Sequence, residues 1–451
     1  MTETSPEKIP PRRLIVCMDG TNNEVGDRQT NVVRLYRALT KNDRQICHYV
    51  QGVGTMDGQE LRQDTAAQRD KITGLAFGKG LEDDVLDAYR FLSRTYDFSL
   101  EGEERDLLYF IGFSRGAYAA RVLAGFINDY GLLHPHELHM APQIFRAYRQ
   151  MSDTDPKEST IKRFGLLRRY MQVFEPRQPG IRALILFDTV ASMIRFRRPW
   201  ANFWKYQSPI EFGTHHSMSA NPSVKHVLHA VSIDEKRSFF RPLLWTDDPQ
   251  QQFYYGSRFK NDSKKEPQTV RQVWFAGFHG DIGGSAREDR SGLGKVTINW
   301  MVDQLKELQE PLEFRRSVIN KDVRGRGKPK NRKSVDGRLK QPPDYGGHIH
   351  NSMSLAWGIM EWVPKTIKRR QFPKGRKGLI WWYLPRSEPR RVPDDHPIHP
   401  AAFDRREDGR RAYRPVNIAH RERDDLGSDL KALHNPNYSS RSERGGDPPE
   451  T

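Results

Sequence analysis

The residues best placed to do chemistry lie in Gly112-Phe113-Ser114-Arg115-Gly116, where the apolar run Leu107 to Phe113 passes directly into a helical pattern. This GxSxG spacing is that of a nucleophile elbow. A Ser on a strained strand-to-helix turn needs neighbours without a Cβ on both sides, so that strand and helix can approach closely. Gly116, Ala120 and Ala124 then repeat at four-residue spacing and give the helix a small-residue face that can lie tightly on a sheet. The Ser114 hydroxyl is expected to project at the sheet edge, with the backbone N–H of Arg115 and the helix N-terminus facing a developing oxyanion.

Acyl transfer by Ser also needs a base and an orienting acid, which in this arrangement follow the nucleophile in the order Ser, acid, His. Asp188, in Leu-Phe-Asp-Thr-Val at the end of an apolar strand, and His279, in a Gly-rich loop after Val273 to Phe278, fit that order. Asp234 and Asp281 compete for the acid's role; Asp281 is only two residues from His279, which makes a clean Nδ1 contact awkward. His215, His216, His226 and His229 are rivals for the base, but none leaves a strand to enter a Gly-rich loop. The turn after the first strand, at Gly20 and Thr21, is the natural source of a second oxyanion donor. This chemistry needs no metal and no organic cofactor.

Two other motifs are weaker. Asp19-Gly20-Thr21 invites comparison with aspartyl-nucleophile phosphatases, but the position of their nucleophile, two residues earlier, is Cys17. The segment Gly74 to Gly80 lacks the Gly-Lys-Ser/Thr ending of a phosphate-binding loop and reads as a flexible loop, a candidate lid.

The elements that must position these residues alternate regularly. Residues 14–18 and 46–51 read as strands, with helices at 31–39 and 81–96 and then the Ser114 unit, a βαβαβα order. Helices follow at about 136–151 and 159–174, a strand at 181–187, strands at 224–233 and 271–276, and a helix at 293–308. Residues 189–223, rich in aromatic and basic side chains without a clear period, look like an insertion over the site. Ordered structure is expected to return at 352–362 and 378–384. The fold class expected is α/β, α/β-hydrolase-like: a mostly parallel sheet with helices on both faces and inserted cap or lid segments. The expected organisation is a disordered N-terminus at 1–12, a catalytic domain at 13–418 with a basic flexible insertion at 315–345, and a disordered polar tail at 419–451.

A chain of 451 residues can bury a substantial core, and its mean hydropathy of −0.80 suits a soluble protein with polar extensions. Residues 1–13 lack the apolar core of a Sec signal and no run approaches a membrane span, so synthesis and folding in the cytoplasm are expected, with non-classical secretion left open. Cys17 and Cys47 lack the spacing of a zinc or redox pair and read as buried free thiols. The net charge of +17 is concentrated: residues 311–390 hold 20 Lys+Arg against 6 Asp+Glu, a local +14. Such a segment favours peripheral contact with anionic surfaces, and it supports a second reading, a catalytically idle module binding anionic surfaces or nucleic acid. No recognisable nucleic-acid-binding motif accompanies the charge.

Taken together, these residues resemble the α/β-hydrolase-domain family that includes the catalytic domain of type VI secretion phospholipase effectors. The resemblance rests on Asp19-Gly20-Thr21-Asn22-Asn23, Gly52-Val53-Gly54-Thr55, Gly112 to Ala117, Phe187-Asp188-Thr189-Val190, Asp234-Glu235 with Arg237 and Phe240, and Trp274 to Gly284. Shorter matches at Ile398-His399-Pro400 and Tyr413-Arg414-Pro415 extend it across about residues 12–418. It implies an ester hydrolase with a Ser-His-Asp triad acting on phospholipids, for which Ser114, His279 and Asp188 are the matching positions.

Overall fold

The computed structural model describes residues 10–20, 29–52, 66–100, 105–153, 160–190, 193–196, 210–213, 220–245, 254–255, 266–328, 333–334, 337–366, 382–408 and 412–423. Strand β1 (Arg13–Met18), helix α1 (Asn31–Ala38), β2 (Gln45–Val50), α2 (Ala66–Thr95), β3 (Leu107–Phe113) and α3 (Arg115–Asp129) form the first half. Helices α4 (Ala141–Asp153) and α5 (Thr160–Phe174) precede β4 (Ile181–Phe187). A ribbon of β5 (Met193–Phe196) and β6 (Ile210–Gly213) lies between β4 and β7 (Val224–Ser232). The short pair β8 (Tyr254–Tyr255) and β9 (Glu266–Pro267) leads to β10 (Thr269–Phe275), the single turn α6 (His279–Ile282) and α7 (Gly292–Glu307).

Six strands make one sheet in the order β10-β7-β4-β3-β1-β2, with every neighbouring pair parallel. The inner strands β1, β3 and β4 are buried on both faces, so they read as nearly continuous apolar runs whose alternate residues serve different layers. Leu14, Val16, Met18, Leu108, Phe110, Leu184 and Leu186 point into one core, shared with α2, α3 and α4. Ile15, Cys17, Tyr109, Ile111, Ile185 and Phe187 point into the other, shared with α1 and α7. This is the α/β-hydrolase-like arrangement expected. Its parallel strands all bring their C-terminal ends to one edge, where β3, β4 and β10 deliver Ser114, Asp188 and the loop to His279.

Three readings from sequence change. Helix α2 starts at Ala66 and runs through Gly74–Gly80, so that segment is helical and not a loop. Gly costs about 1 kcal/mol against Ala in a helix, a local penalty that a long helix docked on a sheet overrides. The basic stretch 315–345, read as flexible from its composition, carries α8 (Arg316–Val318) and buried Ile319, Asp322, Val323 and Lys340 among its described residues. Lys340 pairs with Asp322, Arg37 reaches Asp322 at 3.2 Å, and buried Lys295 donates to the Gln341 carbonyl at 2.8 Å. Lys340, a cation of that stretch, is thus used internally, a role that composition cannot reveal. Cys17 is a buried free thiol as expected, whereas Cys47 is only partly buried.

The remainder of the chain returns to the sheet. After α9 (Leu355–Met360), β11 (Lys365–Thr366) and β12 (Trp382–Tyr383), residues 397–399 lie beside β10: Trp274 donates to the Pro397 carbonyl at 2.9 Å and His399 to the Trp274 carbonyl at 2.8 Å. Helix α10 (Pro400–Glu407) follows. The expected disordered N-terminus and tail fall largely outside the described residues, as do Thr21, His215, His216, residues 53–55 and most of 189–223. Among the described residues, no helix is long and apolar enough to cross a membrane.

Candidate active site

Ser114 occupies the turn between β3 and α3 with φ +58° and ψ −119°, a conformation that costs a residue with a side chain and persists only where the surroundings enforce it. They do so through close backbone contact. A Cβ at Gly112 would stand 2.5 Å from the Ala117 Cα, so the strand end and the first helical turn touch. The Ser114 N–H is fixed by the Phe187 carbonyl at 3.0 Å, which ties the elbow to the next strand.

Asp188 follows β4 and is fully buried, with φ +42°, a left-handed conformation that Asp tolerates better than most residues. Its N–H donates to the Ala230 carbonyl at 2.7 Å. The side chain accepts from the Ser232 N–H at 2.9 Å through Oδ1. Burial alone would lift this carboxyl, but the Arg390 guanidinium and the His279 hydrogen bond outweigh it and hold the group well below the usual carboxylate range.

The His279 ring joins the two. Its Nδ1 lies 2.5 Å from Asp188 Oδ2 and its Nε2 lies 2.7 Å from Ser114 Oγ. With Asp188 ionised and acceptor-only, Nδ1 carries the proton and Nε2 is left to accept from the Ser hydroxyl. Phe113 and Phe240 flank the ring, with centroids 4.8 and 4.9 Å away. Glu235 accepts from the His279 N–H at 3.3 Å and is itself paired with Arg237 at 2.7 Å. Arg237 lies over the Phe240 ring at 3.6 Å.

The rival residues are engaged elsewhere. Asp234 accepts from the Gly277 N–H at 2.6 Å and from the Tyr413 hydroxyl at 3.0 Å, holding the glycine turn before His279. Asp281 accepts from the Phe278 N–H at 2.9 Å and pairs with His350 Nδ1 at 2.6 Å. His229 Nε2 accepts from the Thr189 N–H at 3.1 Å; burial, reinforced by nearby Arg121, holds the imidazole down to about 3, so it stays neutral. His226 bonds Thr269 through Nδ1 at 2.7 Å, away from Ser114. Of the residues read as oxyanion donors, Arg115 starts α3 directly after Ser114. The Gly20 N–H is turned to its neighbour Asp19 Oδ1 at 2.7 Å, and Thr21 lies outside the described residues. Asp19 also accepts from Thr30 at 2.6 Å and Tyr49 at 2.9 Å, which makes it an anchor for the turn.

Arg390 is the site residue that sequence reasoning missed. It sits at the end of the basic segment 311–390, 202 positions from Asp188, and carries no motif of its own. The fold brings it to Asp188 as a two-pronged pair, Nη1 to Oδ1 at 2.6 Å and Nη2 to Oδ2 at 2.9 Å, with both side chains fully buried.

The sequence matches the family model for the type VI secretion system phospholipase effector, Tle1-like, catalytic domain over residues 12–304. An uncharacterized protein from Saccharomyces cerevisiae, YEL023C, is 29% identical over 247 residues, covering 53% of this chain and 33% of that protein. The chain therefore spans about a third of the length of this curated relative. Among solved structures, it is similar to an uncharacterized protein from Pseudomonas aeruginosa, with TM-score 0.37, 17% identity and coverage of 68% of this chain and 47% of that one. It is also similar to the Tle1 effector solved bound to the VgrG spike of the type VI secretion system, with TM-score 0.30, 16% identity and coverage of 64% and 53%. The family match takes in well over half of the chain and includes Ser114, Asp188 and His279, and the protein belongs to the type VI secretion Tle1-like phospholipase effector catalytic-domain family.

Proposed function

We infer that the protein is a serine ester hydrolase of the lipase or phospholipase type, with Ser114 as nucleophile, His279 as base and acid, and Asp188 as the orienting carboxylate. The observation that carries this reading is the continuous hydrogen-bonded chain from Ser114 Oγ through His279 to Asp188, at 2.7 and 2.5 Å. His279 Nε2 takes the Ser114 proton as Oγ attacks the ester carbonyl, and Asp188 stabilises the imidazolium that forms. The tetrahedral oxyanion is met by the Arg115 N–H at the start of α3. The second donor comes from the turn after β1, at Gly20 or Thr21, where the Gly20 N–H already donates to Asp19. His279 then protonates the departing alcohol, and water, activated by the same imidazole, releases the acyl group from Ser114.

Family membership supports a phospholipid substrate, and the surface beside the site has the chemistry to meet one. From Phe240 the apolar wall continues to Trp357, 5.4 Å away between ring centroids. The helix carrying Trp357 exposes Leu355 at 92%, Ile359 at 71% and, just beyond it, Trp362 at 59%. Single exposed apolar residues are ordinary, but three on one short segment against a site's aromatic wall suit a lipid surface. Arg386 over the Trp362 ring, at 4.6 Å, adds a cation suited to anionic headgroups. The net +14 of residues 311–390 is what favours the second reading, an idle module binding anionic surfaces.

Labelling with a fluorophosphonate probe separates the two. The enzyme reading expects stoichiometric modification of Ser114 and loss of p-nitrophenyl ester turnover in a folded Ser114→Ala variant. Unlabelled Ser114 in folded protein, or full turnover by that variant, supports the idle module.

A further inference from the structure

We propose that Arg390 is a positioning residue of the reaction, which clamps Asp188 in the orientation that serves His279 and offsets part of its charge. The inference rests on the serine-hydrolase reading above and concerns a residue outside the matched catalytic-domain span of 12–304.

The geometry is that of a fork on a carboxylate. Both guanidinium Nη atoms donate to Asp188, to different oxygens, while Oδ2 also meets His279 Nδ1 at 2.5 Å. Two parallel bonds fix the carboxylate plane, which a single hydrogen bond cannot do. The Ser232 N–H at 2.9 Å supplies a further contact to Oδ1. Arg390 is held in turn: Nη1 also donates to the Ser232 carbonyl at 3.0 Å, Nη2 donates to the Phe240 carbonyl, and its own carbonyl accepts from Asn417 Nδ2 at 3.1 Å. A buried side chain with this many partners is not filling space.

The electrostatic consequence follows from what else faces the pair. Around Asp188 and His279 stand Ser114, neutral His229, and Glu235, whose charge is matched by Arg237. Arg241, nearby, is matched by Glu388 at 3.0 Å. Among the described residues, Arg390 is thus the arginine paired with Asp188. A carboxylate shared between a guanidinium and an imidazole stabilises the imidazolium less than one shared with the imidazole alone.

The test compares the full-length wild type with Arg390→Gln and Arg390→Lys, reading kcat and kcat/KM for a soluble p-nitrophenyl ester across pH, on samples verified as folded by near-ultraviolet circular dichroism. Arg390→Gln removes the charge, and the acidic limb of its kcat/KM profile should move up by about one pH unit, in line with the loss of a like charge a few ångströms from the imidazolium. Arg390→Lys keeps the charge but loses the fork; its limb should stay with the wild type while kcat falls at least about tenfold and KM is unchanged. An unmoved limb in folded Arg390→Gln overturns the proposal, and so does a wild-type kcat in Arg390→Lys. If Arg390→Gln fails to fold, the Lys variant decides alone: a kcat loss with KM preserved supports the clamp, and a loss seen mainly in KM overturns it. Failure of the serine-hydrolase reading is distinguishable, because the wild type would then not label with the fluorophosphonate.

Discussion

Gly116 rests directly on the backbone of β1: a Cβ there would stand 2.1 Å from the Met18 carbonyl oxygen and 2.5 Å from that of Asp19. Neither obstacle is a flexible side chain, so Gly116→Ala must push α3 off the sheet or distort the turn that holds Ser114. Overpacking of this kind costs about 1–3 kcal/mol, and more where backbone meets backbone. The expected result is a melting temperature several degrees lower and at least a tenfold loss of fluorophosphonate labelling per folded molecule. Gly165→Ala is the control, since nothing lies within 4 Å of a Cβ at that site in α5 and Ala favours the helix. Equal behaviour of the two variants would show that the elbow does not depend on that contact.

The identity of the acid is decided by comparing Asp188→Asn with Asp281→Asn. The first substitution would present an amide to His279 and favour the wrong tautomer, a change worth about 10⁴ in kcat in a Ser-His-Asp site. Asp281 bonds the Phe278 N–H and His350, so its replacement by an amide should loosen the loop, lowering thermal stability with a much smaller loss of kcat. A larger kcat loss for Asp281→Asn would transfer the role.

Much of this site was legible in the sequence because its parts carry local signatures. A glycine on each side of Ser114, an apolar run ending at Asp188 and glycines around His279 each reflect a constraint acting within a few residues. The same locality explains the errors. Gly74–Gly80 carries loop composition, yet α2 continues through it, and the Lys and Arg content of 315–345 hides buried pairs such as Lys340 with Asp322. Arg390 is the sharpest case: its partner is 202 residues away, and nothing in Glu-Pro-Arg-Arg-Val distinguishes it from its neighbour Arg391.

Asp234 gives a pH signature of its own. Removal from water lifts its carboxyl to about 6, against the Gly277 and Tyr413 hydrogen bonds that favour the ionised form. A carboxyl raised above its unfolded value of about 3.9 contributes stability at low pH that is lost as pH rises through the folded value. Asp234→Asn cannot ionise, so its stability relative to the wild type should rise between pH 4 and pH 7. Urea midpoints for both proteins at unit pH steps read this directly, and a difference that stays flat over that range would contradict it.

The last prediction concerns how the enzyme meets its substrate. If the ester is presented in an anionic bilayer, two surface features should contribute in distinguishable ways. Basic residues near the surface add ~1 kcal/mol each and are screened within a Debye length of about 8 Å at physiological salt. Exposed Leu355, Ile359 and Trp362 would instead bury apolar area, at about 25 cal/mol per Å², with little dependence on salt. Activity on anionic vesicles should therefore fall steeply with added salt, while turnover of a soluble p-nitrophenyl ester barely changes, since the reaction proposed for Ser114 does not use those charges. Replacing Lys328, Lys330, Arg332 and Lys333 by Ser should reproduce the salt effect at low ionic strength. Replacing Leu355, Ile359 and Trp362 by Ser should lower vesicle activity at every salt concentration and leave the slope against salt unchanged. Salt sensitivity shared equally by vesicles and soluble ester, or vesicle activity untouched in both variants, would remove the membrane from the account and leave a hydrolase of small soluble esters.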